Sequence, residues 1–113
     1  MVEKKLYNFF KDLINTSTDN SFNKFYYRNR SSVLVVLLIA SGSKYTYEKI
    51  CSEIPNSICG RTTIKNILNE GVKQGFFIKN FDPDDKRNRI YNINKEIKKE
   101  MKKWEKRMKE IFD

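Results

Sequence analysis

The feature that most restricts the fold of this chain is a helical pattern that runs directly into two strand patterns. Residues 61–74 carry apolar side chains at helical spacing, and Gly75 follows as a residue suited to end a helix. Residues 76–81 and 89–93 alternate weakly, as strands do, and Asp-Pro-Asp-Asp at 82–85 predicts the turn between them. The inward residues of the helix are expected to be Ile64, Ile67, Leu68 and Val72. A helix followed at once by a hairpin with a charged tip is therefore predicted.

A shorter helix is predicted just before this unit. Thr46 is suited to cap a helix that reaches Ile54, and Pro55-Asn56-Ser57 interrupts it. Further upstream, residues 33–40 are uniformly apolar. They predict either a buried helix, capped by Ser31 or Ser32 and ended by Ser41-Gly42, or a buried strand, because periodicity does not separate the two.

Both ends of the chain predict amphipathic helices. Residues 2–15 carry apolar side chains three and four positions apart, and a turn-rich segment at 15–23 follows. The aromatic residues after that turn are expected to pack the connection onto the body: Phe22, Phe25, Tyr26 and Tyr27. Residues 95–112 predict a long helix whose apolar residues are spaced 4, 3, 4 and 3 positions apart: Ile97, Met101, Trp104, Met108 and Ile111.

These elements predict a mainly α (α+β) fold, a winged helix-turn-helix with a two-stranded wing and N- and C-terminal dimerisation helices. We expect a single domain over residues 1–113. Within it, residues 1–30 form the N-terminal helix and connection, 31–94 the winged-helix core and 95–113 the C-terminal helix.

The charge of the chain indicates an anionic partner. Its 23 Lys and Arg residues against 14 Asp and Glu residues give a net charge of +9. The excess lies in residues 1–30, 57–92 and 93–113, whereas residues 31–56 are neutral overall. Nucleic acid is the first candidate and an anionic membrane surface the second. The acidic residues interleaved along 93–113 favour a solvated face there, so no membrane partner is expected.

The composition excludes several kinds of chemistry. The chain has no His, so Ser-His-Asp and Cys-His catalysis and imidazole zinc sites are excluded. No Gly-rich phosphate loop is found, and no acids cluster on one predicted face, so we expect no enzyme, cofactor or metal. The longest apolar run has eight residues, against about 20 for a bilayer span, and no secretory signal is seen, so we expect a cytoplasmic protein. Cys51 is expected in the core; Cys59 precedes a helix start and is either a core residue or a redox-sensitive thiol.

Two motifs within residues 57–94 follow the pattern of a known family. The first is Thr63-Ile64-Lys65-Asn66-Ile67-Leu68, which leads to Gln74-Gly75-Phe76. The second, more specific motif is Asp84-Asp85-Lys86-Arg87-Asn88-Arg89-Ile90-Tyr91-Asn92-Ile93. They resemble the recognition helix and the wing of the MarR family of bacterial and archaeal transcription regulators.

The chain departs from this family at three positions and in its shorter length. Gly71 stands where the family has a core Leu, so the inner face of the helix must be completed otherwise, with Val72 the candidate. Gly60 occupies the position of a Ser cap, and Lys86 replaces an Arg.

The outer face of the predicted helix 61–74 carries side chains that can read DNA. In the major groove, Arg and Lys pair with guanine and Asn pairs with adenine, and the resemblance places base readout on this helix. The candidate residues are Arg61, Thr62, Thr63, Lys65, Asn66 and Asn69. Thr63 is better suited to contact phosphate or to cap locally, and an ordinary solvated face is the alternative for all six.

The hairpin tip carries a second group of basic residues, Lys86, Arg87 and Arg89. An Arg that projects beside the recognition helix can enter the minor groove, and Arg87 is the first candidate. Asp84 and Asp85 are expected to brace the wing arginines by charge-assisted hydrogen bonds, as the resemblance also implies. A solvated hairpin tip is the alternative.

The apolar stripes of the terminal helices predict a homodimer, which would present two wings to half-sites one helical turn apart. The expected dimerisation residues are Leu6, Phe10, Leu13, Ile97, Met101, Trp104, Met108 and Ile111. The alternative is that the two terminal helices pack together within one monomer.

The leading hypothesis is a homodimeric, sequence-specific regulator of transcription that binds double-stranded DNA. The alternative is a winged-helix accessory or assembly protein, in replication or protein–protein interaction, without operator-specific regulation. The resembling family often senses small molecules, but an effector site has little support here. Its candidate lining residues are as readily explained as core: Phe9, Phe10, Phe22, Phe25 and Trp104.

Overall fold

The structure is a computed structural model that describes residues 1–42 and 44–113. It is mainly helical, with 62% of the residues in helices and a two-stranded antiparallel sheet. The elements are α1 (Val2–Thr16), α2 (Ser21–Tyr26), α3 (Arg30–Ala40), α4 (Tyr47–Glu53), α5 (Arg61–Lys73), β1 (Phe77–Phe81), β2 (Arg89–Ile93) and α6 (Lys95–Phe112). The predicted bounds of α1, α4, α5, β1, β2 and α6 agree with these to within one residue.

The segment that the pattern left open between helix and strand is the helix α3. It is capped by Asn29, whose side chain accepts a hydrogen bond from the Ser32 backbone N–H, so the prediction of a cap at Ser31 or Ser32 is wrong. The helix starts one residue before these serines, which places both inside its first turn. Ser32 is fully buried there, and its hydroxyl accepts a hydrogen bond from Arg28.

The helix α2 was not predicted as a helix. Its six residues are too few to show a helical period, yet Asn20 caps it through a hydrogen bond from the Asn23 backbone N–H. The expected role of its aromatic residues is confirmed, since Phe22, Phe25 and Tyr26 are buried in the core. Phe25 contacts both Phe76 and Phe77.

The strands β1 and β2 pair from Phe77 opposite Ile93 to Phe81 opposite Arg89. Tyr45 extends this sheet by a single bridge to Tyr91, in which the Tyr91 N–H donates to the Tyr45 carbonyl at 2.9 Å. Between α5 and β1, Gly75 follows the end of the helix as predicted, and its φ of 83° is the left-handed conformation that favours glycine. The hairpin is thus attached to the body at both of its ends.

The core fills the space between α3, α5 and the inner face of the hairpin. The inner face of α5 is completed by the Phe77 ring rather than by Val72, which is half-buried at the edge of the core. A Cβ at Gly71 would lie 2.2 Å from Cδ2 of Phe77. The missing side chain at Gly71 and the aromatic ring at Phe77 therefore compensate each other.

The two terminal helices lie antiparallel to each other within the chain. Arg107 Nε donates to Asp12 Oδ1 at 2.8 Å, and the Phe9 and Phe112 rings meet edge to face at 5.5 Å. Leu6, Phe10 and Ile14 of α1 point away from α6 and are more than half exposed. The intrachain packing that the sequence left as an alternative is therefore present, and it leaves one apolar face of α1 uncovered.

The predicted dimerisation residues separate into three groups in this arrangement. Ile97 is 4% exposed and belongs to the chain's own core, so its assignment to a dimer interface is wrong. Leu13, Met101, Trp104, Met108 and Ile111 are half-buried, whereas Leu6 and Phe10 are exposed. Over the described residues, no helix combines the length and apolar character needed to cross a membrane.

Candidate nucleic-acid interface

A cleft of about 210 Å³ lies between the start of α4, the helix α5 and the tip half of the hairpin. It brings together four basic side chains from three parts of the chain: Lys65, Lys79, Arg87 and Arg89. The other lining residues are Thr46, Tyr47, Glu48, Asn88 and Tyr91. Its lining therefore carries four cations against the single carboxylate of Glu48.

Strand alternation explains why the hairpin contributes to both the core and the cleft. Side chains two residues apart on a strand share a face, so Phe77, Lys79 and Phe81 lie on the same face of β1. Arg89 is paired with Phe81 on the neighbouring strand. Phe77 is buried against α5, whereas Phe81 is 62% exposed near the tip. One face of the hairpin thus changes along its length from apolar core to basic surface.

Aromatic rings support several of these cations. The Arg89 guanidinium lies 3.8 Å from the Phe81 ring centroid, and Lys79 Nζ lies 5.8 Å from that of Tyr91. Lys65 Nζ lies 4.9 Å from the centroid of Tyr47. Such contacts contribute about 0.5–1 kcal/mol at exposed sites and leave the positive charge unneutralised. The rings therefore orient the cations while keeping them available to an anion.

The predicted DNA-reading residues of α5 share one exposed side of that helix. Thr62, Thr63, Asn66 and Asn69 are exposed, and Lys65 is half-buried at the margin of the cleft. Glu70, the acid nearest to this face in sequence, is bonded to Arg28 by both carboxylate oxygens, at 2.7 and 2.8 Å. The outer surface of α5 is consequently polar and basic.

Arg61 begins α5, and two residues of α4 hold it. Its Nη2 donates to Glu48 Oε1 at 2.6 Å, and its guanidinium lies 5.2 Å from the Tyr47 ring centroid. The Tyr47 hydroxyl donates to the Arg61 carbonyl at 3.1 Å. The hydrogen bond to Glu48 raises the pKa of Arg61 above its ordinary value. Arg61 is thus positioned and charged, with its side chain still 54% exposed.

The hairpin tip holds Arg87 by a two-point contact with Asp85. Arg87 Nε and Nη2 donate to the two oxygens of Asp85 at 3.1 and 3.0 Å, and the Arg87 backbone N–H donates to Oδ1. These bonds hold the pKa of the Asp85 carboxyl below its usual range. The predicted brace by Asp85 is present in this contact.

Asp84 does not brace a wing arginine, contrary to the prediction. Its carboxylate pairs with Lys44 at 3.1 Å, and its backbone N–H donates to Asp82 Oδ1 within the turn. Arg89 is instead tied to the tip by donating to the carbonyls of Lys86 and Asn88, while Lys86 is exposed.

The residues considered for an effector site or a redox switch lie elsewhere. Cys59 is buried in the core and Cys51 is half-buried against it, an environment typical of structural rather than reactive thiols. Phe22 and Phe25 also belong to the core. Trp104 lines a separate cavity of about 590 Å³ between α3 and α6, while Phe10 is exposed on α1. The five aromatic residues therefore do not form one pocket.

Sequence reasoning missed three residues of this site: Tyr47, Glu48 and Lys79. Tyr47 is half-buried, and its ring lies against the cations of Arg61 and Lys65, which are 14 and 18 positions further along the chain. Lys79 was detectable, because it occupies the same strand face as Phe77 and Phe81. Glu48 carried no signal beyond that of an acid in the first turn of a helix.

Comparisons with protein-family models, with curated proteins and with solved structures gave no match for this chain.

Proposed function

We propose that this chain is a sequence-specific regulator of transcription that binds double-stranded DNA as a homodimer in the cytoplasm. In this proposal α4, α5 and the hairpin form a winged helix-turn-helix of the MarR type, with α5 as the recognition helix and β1–β2 as the wing. The observation that carries the proposal is the cleft in which Lys65, Lys79, Arg87 and Arg89 converge beside the exposed face of α5. Its activity is binding, with no catalytic step.

The recognition helix would lie in the major groove with its first turns against the bases. Arg61, Thr62 and Asn66 are exposed there. The Glu70 carboxylate is bound by Arg28 and is therefore not available to pair with these side chains. Arg and Asn side chains form paired hydrogen bonds with guanine and adenine edges. This arrangement supports base readout in addition to phosphate binding.

The wing would enter the adjacent minor groove. Arg87 projects from the tip with its side chain 88% exposed, and Asp85 restricts its orientation. The negative potential of a narrow minor groove favours a guanidinium. Arg89 and Lys79 lie on the side of the wing that faces the recognition helix, where the phosphate backbone would separate the two grooves.

Homodimerisation would use the apolar side of α1 that α6 leaves uncovered. Leu6, Phe10 and Ile14 are four residues apart and more than half exposed. An exposed apolar stripe along a whole helix favours burial against a second helix, which another copy of the chain can supply. That second copy also provides the second wing that a two-fold symmetric DNA site requires.

The proposal is tested by removing cleft cations one at a time. Lys65→Ala and Arg89→Ala should each weaken binding to a DNA duplex and lower the salt dependence of log K by about two units, because each removes about one phosphate contact from each protomer of the dimer. Lys106→Ala removes the same charge from exposed α6 and should change binding little. Equal weakening by all three variants would show that net charge alone drives association, and would contradict the proposal.

The accessory or assembly function remains the competing hypothesis. It predicts binding that is equal for all DNA sequences, or no DNA binding at all. A selection of bound duplexes from a random pool separates the two, because only a regulator enriches a defined sequence.

A further inference from the structure

Arg61 occupies a position that is unfavourable for the stability of its own helix. It is the first residue of α5, where the helix dipole favours a negative charge and disfavours a cation. Its side chain nevertheless contacts Tyr47 and Glu48, the first two residues of α4, which favour one of its orientations. These contacts offset the cost at the helix end, and the Tyr47 ring also contacts Lys65.

The contact leaves most of the guanidinium free. An Arg side chain has five N–H donors in one plane, and Glu48 accepts a hydrogen bond from Nη2. The guanidinium carbon lies 5.2 Å from the Tyr47 ring centroid, and the Tyr47 hydroxyl donates to the Arg61 backbone carbonyl. Arg61 is therefore restrained at one edge and open at the others, as bidentate pairing with a base requires.

From this geometry we infer that Glu48 and Tyr47 are positioning residues that fix Arg61 for the recognition of one guanine in the major groove. Arg bound to guanine O6 and N7 is the commonest specific contact in that groove. Glu48 then determines sequence specificity through Arg61, without a contact to DNA of its own. This inference rests on the proposed function and adds to it the identity of one recognised base.

A positioning residue and a merely repulsive acid have different effects on DNA binding. Removing a repulsive charge strengthens binding to every duplex by the same factor, because phosphates are present in all sequences. Removing a positioning residue lets Arg61 sample more orientations, so discrimination is lost at one base pair and kept at the others. The pattern across sequences therefore distinguishes the two.

The test measures Glu48→Gln on the duplex selected by the wild-type protein and on duplexes in which each guanine is replaced in turn. In the wild type, one replacement should weaken binding by about tenfold or more, which corresponds to the loss of a bidentate base contact. In Glu48→Gln that penalty should fall to about twofold or less, at the same base pair that Arg61→Ala identifies. The double variant Glu48→Gln/Arg61→Ala should lose no more discrimination than Arg61→Ala alone, since both changes act through the same contact with the base.

Three controls keep the outcome specific. Glu53→Gln removes the same charge from the other end of α4 and should leave every base preference intact. Tyr47→Phe keeps the ring and should retain most discrimination, whereas Tyr47→Leu should lose it. Thermal unfolding of each variant identifies any change caused by loss of folding.

A uniform effect of Glu48→Gln on all duplexes, or an effect at a different base pair from Arg61→Ala, would overturn the inference while leaving a specific wild-type protein intact. A wild type that binds all duplexes equally would overturn the proposed function and this inference with it.

Discussion

At the scale of single residues, Gly71 and Phe77 show how two neighbouring positions depend on each other. In the middle of an exposed helix, Gly→Ala stabilises by about 1 kcal/mol. Here the added Cβ would lie 2.2 Å from Phe77, and the ring is itself packed against Phe25. The space for a methyl group is therefore already filled.

We predict that Gly71→Ala lowers the free energy of unfolding by about 1–3 kcal/mol, the usual cost of overpacking a core. Denaturant unfolding measures this directly. Gly60→Ala is the steric control, because a Cβ there meets its nearest atom, Asn56 Oδ1, at 3.8 Å. Since Gly60 is the N-cap of α5, any cost there comes from capping and not from overpacking. A Gly71→Ala variant as stable as the wild type would show that the Phe77 ring moves without cost.

A second prediction concerns the charge pair at the hairpin tip. Hydrogen bonds from Arg87 lower the pKa of the Asp85 carboxyl in the folded protein. Since the folded pKa lies below the unfolded one, the stabilising contribution is complete at neutral pH and is lost as the pH falls through the folded pKa. NMR titration should give Asp85 a lower midpoint than in Arg87→Ala; equal midpoints would show that the pair does not persist in solution.

The sequence predicted the partner of a residue correctly when that partner is close in the chain, and incorrectly when it is distant. Thr46 was identified as a cap because a cap bonds within its own turn, and it accepts from the Lys49 N–H as expected. Asp84 was assigned to the wrong cation because its partner, Lys44, lies 40 residues away. The two serines in the first turn of α3 were plausible caps by residue type, and the observed start of the helix at Arg30 makes Asn29 the cap instead.

At the scale of elements, the packing of α1 against α6 includes one largely buried ion pair, between Asp12 and Arg107. The Asp12 side chain is 9% exposed and that of Arg107 is 30% exposed. Among the described residues, Oδ2 of Asp12 has no hydrogen-bond partner. The carboxylate therefore relies on Arg107, and these two residues fix the position of one helix along the other.

Arg107→Ala should lower the free energy of unfolding by about 1–3 kcal/mol, somewhat less than the loss of one partner in a fully buried pair, because Arg107 retains some contact with water. Lys106→Ala, its exposed neighbour, should change stability by less than about 0.5 kcal/mol. Urea unfolding compares the two, and equal small effects would contradict the importance assigned to the pair.

The elements themselves were largely predictable, and the exceptions have physical causes. The long helices α1, α5 and α6 show clear periods because each has one apolar side. The helix α3 is apolar all round, since it lies against several elements at once, so its period carries no information. The helix α2 is one and a half turns long and is stabilised by its aromatic contacts, which are non-local.

At the scale of the whole molecule, the chain is elongated, measuring 50 × 31 × 23 Å. The basic cleft was only partly predictable, because it combines Lys65 with hairpin residues that are close in space and not in sequence. The sequence also did not predict which apolar residues of α1 contact α6 and which remain exposed, because this depends on how the two helices pack. These are properties of packing rather than of any single segment.

The open face of α1 gives a prediction about assembly. Phe10→Ser combined with Ile14→Ser should abolish the proposed dimer while leaving the monomer folded, because both side chains are more than half exposed in the single chain. Light scattering after size exclusion measures the mass. Ile58→Ser, an exposed apolar residue outside α1, should leave the dimer intact. A double variant that stays dimeric would place the interface elsewhere.

The most direct test of the central proposal is the affinity of the wild-type protein for a selected duplex and for random duplexes at physiological salt, measured by fluorescence anisotropy. A specific regulator should bind the selected site at least about 10³-fold more tightly than random DNA. The difference should persist as salt is raised, although both affinities fall. Weak binding that is equal for all sequences and disappears at moderate salt would contradict the proposed function.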